Sequence, residues 1–176
     1  MKTFNAYLLM AFFLVVACAL PCAAHGKDRP KGSFSGSWSG SFAEMGVPGK
    51  AFGTISITVY PDSGRFTCKL SGSTQGNLEK NNVQASFWSK VKSSACKGTY
   101  LPETGAIDGA MTMREKGLAT VMMPGMRTES ESSEETWTAT IFGKVGPTIA
   151  SGTWIDEEGT KLSWNATGGF SGKAEE

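Results

Sequence analysis

The amino-acid sequence predicts an all-β protein: a single antiparallel up-and-down β-barrel of about eight to ten strands with one disulfide. From Phe34 to Phe42 every even position is aromatic or glycine and every odd position is serine, the period-two alternation of a strand with one buried face. The chain has 22 glycines and no long helical periodicity, as expected of many short strands joined by tight turns. Strands bearing Trp154 and Trp164 recur near the other end, so a sheet can curl until its ends meet.

The first 24 residues are predicted to be an export signal. Lys2 precedes an apolar run from Leu8 to Leu20, and the segment ending at Ala24 supplies the small residues that signal peptidases cleave after. We expect a secreted protein, extracellular or periplasmic, that begins at residue 25; lipid attachment at Cys18 is the alternative. No later apolar run is long enough to span a membrane.

The mature chain is predicted to hold one domain, residues 33–170, between a flexible leader at 25–32 and a disordered tail at 171–176. Loss of Lys2 with the signal brings the formal charge from +1 to about zero. A nucleic-acid-binding surface needs a basic surplus on one face. We therefore expect no nucleic-acid partner.

Two cysteines remain in the mature chain, Cys68 and Cys96. In an oxidising compartment a disulfide between them is the default. In the chain-entropy model this bridge stabilises the fold by about 3 to 4 kcal/mol. A redox or metal role would need closer spacing or further ligands.

The remaining strands are predicted in order along the chain. A hairpin turns at Pro61–Gly64, and the next strand has an inward row that leaves Trp88, Lys90 and Lys92 outside. The polar segments are interpreted as loops: Met45–Gly49, Ser71–Asn82 and Glu129–Glu135. The inward rows are Ile55–Val59, Phe66–Leu70, Val83–Val91, Ile107–Met113, Trp137–Ile141, Gly152–Trp154 and Leu162–Ala166, and Leu118–Met123 is a further apolar run.

The sequence predicts no enzymatic site, no cofactor and no metal. Its one histidine, His25, stands in the leader, so a Ser-His-Asp or Cys-His pair cannot form in the core. Phosphate-binding glycine loops are absent from the sequence, and the carboxylates fall in polar segments typical of a solvated surface. At a new N-terminus His25 could chelate copper; the alternative is a leader residue without a role.

Five methionines crowd one segment, and three interpretations of them stay open. Met111 and Met113 are predicted to share one strand face. There they could pack in the core, bind Cu(I) through their thioethers, or line an adaptable apolar pocket. Asn165 begins a glycosylation sequon, which matters only in a eukaryotic source.

The segment Gly36-Ser37-Trp38 on the first strand resembles the Gly-x-Trp that opens lipocalins and avidins, the calycin group. The mature length and the run of hairpins are similar to that group as well. The resemblance implies a small barrel, and it supports this fold more than any particular ligand. It departs from lipocalins in having no arginine after Arg127.

We therefore expect a secreted, non-enzymatic barrel that binds a small apolar or amphipathic ligand in its interior. The alternative is a protein-binding module of the cell envelope or of a host interface, such as a secreted inhibitor, with a solid core and with contacts through Met45–Lys50 and Arg127–Glu135. The residues predicted to line the interior site are Trp38, Met111, Met113, Trp137, Trp154 and Trp164.

Overall fold

A computed structural model describes residues 31–44 and 46–171, which form eight β-strands. Each strand pairs antiparallel with the next, and β8 pairs with β1, so the sheet is a closed up-and-down barrel, as predicted. No helix in these residues is long and apolar enough to cross a membrane. The strands are β1 Gly32–Glu44, β2 Val47–Tyr60, β3 Arg65–Lys80, β4 Val83–Leu101, β5 Ala106–Met122, β6 Glu129–Val145, β7 Ile149–Asp156 and β8 Lys161–Phe170. The predicted export signal, including Cys18, lies outside the described residues, as do His25, most of the leader and most of the tail.

The period-two alternation decides which side chains face the interior. On β1, Phe34 and Trp38 are buried while the intervening serines are exposed. The other strands continue this pattern, with aliphatic and aromatic side chains inside and mainly Ser, Thr and Lys outside. Strands that face lipid have the reverse pattern, apolar outside and polar inside. The outer surface of this barrel is therefore suited to water.

Pairs of glycines on neighbouring strands make room for large aromatic rings inside the barrel. Gly53 and Gly72 are cross-strand partners, and the Trp38 ring lies over them. The Trp38 indole donates hydrogen bonds to the carbonyl oxygens of Thr54 and Ser71, at 3.1 and 3.0 Å. Two further pairs have the same arrangement, Gly143–Gly152 beside Trp164 and Gly49–Gly76 beside Phe87, and in the pair Gly98–Gly109 the Phe66 ring lies against Gly98. These rings fill space that two Cβ atoms would otherwise occupy.

The predicted disulfide is confirmed. Cys68 on β3 and Cys96 on β4 are direct cross-strand partners, with Cα atoms 4.8 Å apart. Both residues are buried in the core. The bridge links adjacent strands and closes a sequence separation of 28 residues.

Three segments predicted as loops are largely strand. β3 continues through Ser71 to Lys80, β6 begins at Glu129, and β2 begins at Val47. The predictions were wrong because polar segments of this kind need no buried face to form strands when a long neighbouring strand pairs with their backbone. Of the segment Ser71–Asn82, only Asn81 and Asn82 form a turn, which joins β3 to β4, and both residues have positive φ, 53° and 60°.

Unequal strand lengths leave the two ends of the barrel different. β7 and β8 are short, so pairing between β6 and β7 starts only at Ala139. Pairing between β1 and β8 likewise stops at Ser39 and Ser163. β3, β4, β5 and the first half of β6 extend past the closed ring as a curved sheet. We call this end, with the β1–β2, β3–β4, β5–β6 and β7–β8 turns, the mouth.

Candidate functional site

A cavity of about 310 Å³ opens at the mouth. We call it the mouth cavity. Its apolar floor and walls include Phe42, Phe87, Trp137 and Leu162, from four different strands. The three aromatic rings share the concave face of the extended sheet. Phe42 and Phe87 pack with their ring centroids 5.6 Å apart. The other lining residues are Ala43, Ala51, Thr74, Trp88, Ser89, Glu115, Gly117, Leu118, Ala119, Ser133, Glu135, Thr138, Asp156, Glu157, Glu158 and Thr160.

The structure places the six residues predicted to line an interior site in two different environments. Five of them, Trp38, Met111, Met113, Trp154 and Trp164, are buried in the packed core, with relative exposures of 2 % or less. The sixth, Trp137, is half-buried and lines the mouth cavity.

Ring contacts connect this core to the mouth. Trp38 and Trp154 have ring centroids 4.9 Å apart, and Trp137 meets Trp154 edge-on at 6.1 Å. Met111 and Met113 lie on the inward face of β5 and are fully buried. Among the described residues no group of three or more His, Cys, Asp or Glu side chains is placed to hold a metal ion. Trp38, Trp154, Met111 and Met113 belong to the hydrophobic core, and Trp137 packs against this core from the mouth side.

Glu115 is the most buried carboxylate of the mouth cavity. It continues the inward row of Met111 and Met113 on β5, and Ser89 Oγ donates to its Oε2 at 2.5 Å. Its other oxygen, Oε1, is buried without a well-aligned hydrogen-bond partner among the described groups. Burial raises the pKa of Glu115 above its usual value, although the nearby Ser89 hydroxyl and Trp137 indole partly offset this rise. The Oε1 atom of Glu115 can thus accept a further hydrogen bond or pair with a positive charge.

Three further carboxylates come from the β7–β8 turn, which forms one lip of the mouth. Asp156 Oδ1 accepts from the backbone amides of Glu158 and Thr160, at 3.0 and 2.8 Å. Thr138 Oγ1 on β6 donates to Glu157 Oε1. The turn is thereby held beside β6, with its acidic side chains at the cavity.

The mouth cavity has one sign of charge. Glu115, Glu135, Asp156, Glu157 and Glu158 line it, and no lysine or arginine of the described chain does. Because apolar walls lower the local dielectric, carboxylates in such a cleft attract cations more strongly than carboxylates on an open surface. Aromatic faces favour the same ligands through cation–π attraction. A second, more open cavity of about 710 Å³ adjoins it on the side of β1–β4, shares Phe42, Phe87 and Trp88 with it, and includes Lys50.

Positive charge is concentrated on the opposite side of the wall. The outer face of β3, β4 and β5 has seven exposed cations: Arg65, Lys69, Lys90, Lys92, Lys97, Arg114 and Lys116. Lys90 and Lys116 are direct cross-strand partners, an arrangement that destabilises a sheet. Glu134 on β6 bonds Arg114 at 2.7 Å and partly neutralises this basic face.

Comparisons with known proteins identify the fold but no family. Solved structures of Ail, the attachment invasion locus protein of Yersinia pestis, resemble this chain. The structure in complex with the heparin analogue sucrose octasulfate has a TM-score of 0.55 at 12% identity, and a second Ail structure has 0.50 at 11%. Each match covers 82% of this chain and 99% of the Ail chain. Neither the protein-family models nor the curated protein sequences give a match.

The resemblance to the calycin group is therefore wrong, since the similar solved structures are Ail barrels. Two of the three residues that suggested it, Gly36 and Trp38, have local packing roles. A Cβ at Gly36 would lie 1.9 Å from the Asn165 carbonyl oxygen, and Trp38 needs the space over Gly53 and Gly72. Close strand contact and a ring over small residues are demands of many small barrels.

The carboxylates of the mouth were missed in the sequence, where they were interpreted as a solvated surface. For two of them, the alternation of side chains along a strand indicated the inward orientation. Glu115 stands two residues after Met113, and Glu135 stands two residues before Trp137, so both share the inward face of their strands. The contribution of Asp156 had no such signal, because it depends on where the short β7 ends.

Proposed function

We propose that this chain is a non-enzymatic binding protein of the cell envelope or of a host interface, and that its mouth holds a cationic segment of a partner protein. The observation that carries this proposal is the lining of the mouth cavity, in which five carboxylates and the Phe42, Phe87 and Trp137 rings meet without a lysine or arginine of the described chain.

The size of the cavity favours side chains of a partner over a separate small ligand. A volume of about 310 Å³ is at the lower limit of small-molecule pockets, and the adjoining cavity of about 710 Å³ is more open to solvent. Below it, the Trp38, Trp154 and Trp164 rings occupy the barrel. A lysine or arginine side chain could enter the mouth and place its stem against the aromatic rings while its charge meets Glu115. The Ail likeness supports an envelope or host-interface location only through the shared fold.

Synthetic peptides test this proposal on the exported, mature protein. We expect a ten-residue peptide of alternating Lys and Thr to bind, as measured by calorimetry, and the matching Glu-Thr peptide not to bind. Binding should weaken between about 0.1 and 1 M salt, where the screening length falls from about 10 to 3 Å.

Two adjacent carboxylates of β6 provide a matched pair of variants. Glu135 faces the mouth cavity, whereas Glu134 faces outward and bonds Arg114. Glu135→Gln should weaken binding of the Lys-Thr peptide about two- to fivefold, the range of an exposed ion pair. Glu134→Gln should leave the affinity for this peptide unchanged. Equal effects of the two variants, or binding of the Glu-Thr peptide, would contradict the proposal.

The basic outer face favours a second candidate function, the binding of a sulfated glycan. Its support is the cross-strand pair Lys90 and Lys116, which costs stability without a structural return. One of the similar Ail structures is a complex with sucrose octasulfate, a heparin analogue. The change Lys90→Thr/Lys116→Thr should lower the salt concentration that elutes the protein from heparin resin. The control is Lys144→Thr/Lys161→Thr, on other strands; if both variants elute alike, the outer face is not the site.

A further inference from the structure

The mouth has a feature besides its charge, an unpaired strand edge. β6 pairs with β5 from Glu129 onward, but it pairs with β7 only from Ala139. On the side away from β5, Glu129–Thr138 therefore has no neighbouring strand in the described part of the chain. We call these ten residues the free edge. Across the gap, Gly40–Glu44 of β1 likewise extends beyond its pairing with β8.

A free edge of this length is a template for another strand, because its outward backbone N–H and C=O groups have no ladder partner. Natural sheets protect such edges with proline, bulges, very short strands or charge. The free edge has no proline, and its register with β5 runs without a shift from Val121–Glu129 to Ala106–Lys144. Charge is the protection that it does have, in Glu129, Glu131, Glu134 and Glu135.

The sign of this charge selects the occupant. A second copy of the chain would bring the same four glutamates against these four, and like charges on adjacent strands oppose pairing. A basic strand would find the opposite sign. We infer that the free edge of β6 accepts an extended basic segment of a partner protein as an added strand in the gap between β6 and β1, which deepens the proposed function and rests on it.

The alternation of β6 gives the partner its pattern. Glu135 and Trp137 face the mouth cavity, so Glu129 and Glu131, at the same parity, belong to the inward row. An added strand would send every second side chain into the mouth, towards Glu115 and the aromatic rings. On the outer face Glu134 is already engaged by Arg114. The partner segment therefore has Lys or Arg at alternate positions, facing inward, and small polar residues between them.

Backbone methylation separates strand addition from attraction by charge alone. The probes are the Lys-Thr decapeptide and two N-methylated forms of it. One form is methylated at the backbone amides of the odd positions and the other at those of the even positions, so that each form blocks one edge of the extended peptide. All have equal charge, but the methylated forms cannot supply one set of ladder hydrogen bonds. We expect one methylated parity to bind at least tenfold more weakly than the unmodified peptide, because two lost hydrogen bonds correspond to about tenfold.

Hydrogen exchange supplies the second readout. The unmodified peptide should slow amide exchange within residues 129–138, whereas the β3–β4 hairpin tip, residues 76–84, serves as the internal control and should not change. If all the peptides bind equally and residues 129–138 stay unprotected, strand addition is overturned while the proposed cationic mouth stands. If no Lys-Thr peptide binds, both fail. A peptide-free dimer that protects the same amides would also overturn the inference, since a second copy would then be the occupant.

Discussion

The packing of Trp38 over a glycine pair predicts that Gly72→Ala is strongly destabilising. A Cβ at this position would lie 2.4 Å from the Phe52 carbonyl oxygen, 2.4 Å from Trp38 Cζ2 and 2.9 Å from Gly53 Cα. Two of these three atoms are backbone, which cannot move aside as a side chain does. An alanine in a strand interior normally stabilises relative to glycine. Here the sign should reverse.

The expected size follows from overpacking, which costs about 1 to 3 kcal/mol and occasionally more. With rigid backbone on two sides of Gly72, we expect the upper end, about 3 kcal/mol. A domain of about 140 residues unfolds with an entropy of about 0.3 kcal/mol/K near its midpoint, so Tm should fall by about 10 °C. Thermal unfolding followed by circular dichroism measures this fall.

Two further variants make the test discriminating. Gly169→Ala places a Cβ no closer than 3.6 Å to Pro147 O, so its Tm should stay within about 2 °C of wild type. The double variant Gly72→Ala/Trp38→Phe should recover only part of the loss, because the contact with the Phe52 oxygen remains. A Gly72→Ala protein as stable as wild type would refute the packing argument.

Two other predictions concern the disulfide and the buried carboxylate. Replacing Cys68 and Cys96 together by alanine should lower the free energy of unfolding by about 3.5 kcal/mol in the chain-entropy model, measured by denaturant titration; a loss below about 1 kcal/mol would contradict that account. Because burial raises the pKa of Glu115 in the folded state, stability should fall as pH rises from the unfolded value of about 4.5 through the folded value. Glu115→Gln should therefore raise Tm at neutral pH but not below pH 4.5, whereas exposed Glu79→Gln should have little effect at either pH.

Much of the barrel could be predicted from the sequence because its determinants are local and periodic. The parity of Phe34 and Trp38 defines the inward face of β1, and the serines between them define the outward face. The cysteine pair, in a chain predicted to be exported, indicated the bridge between β3 and β4.

The mouth depends on the pairing and the relative lengths of different strands, which the sequence of a single strand does not contain. Glu129–Glu135 has the composition of a loop, yet it is strand because β5 is long enough to pair with it. The same segment is an edge because β7 ends at Asp156, so the gap exists only through the difference between two strand lengths.

The sequence by itself therefore determined the fold class, the inward rows and the disulfide, since side-chain alternation and cysteine chemistry act over short range. Only the tertiary structure decided which charges meet. Alternation assigns Glu115 and Glu135 to inward rows, but the pairing of β5 with β6 makes them direct neighbours, and the end of the short β7 at Asp156 adds the carboxylates of the β7–β8 turn. A formal charge of +1 over the whole chain is thereby divided between an acidic mouth and a basic outer face.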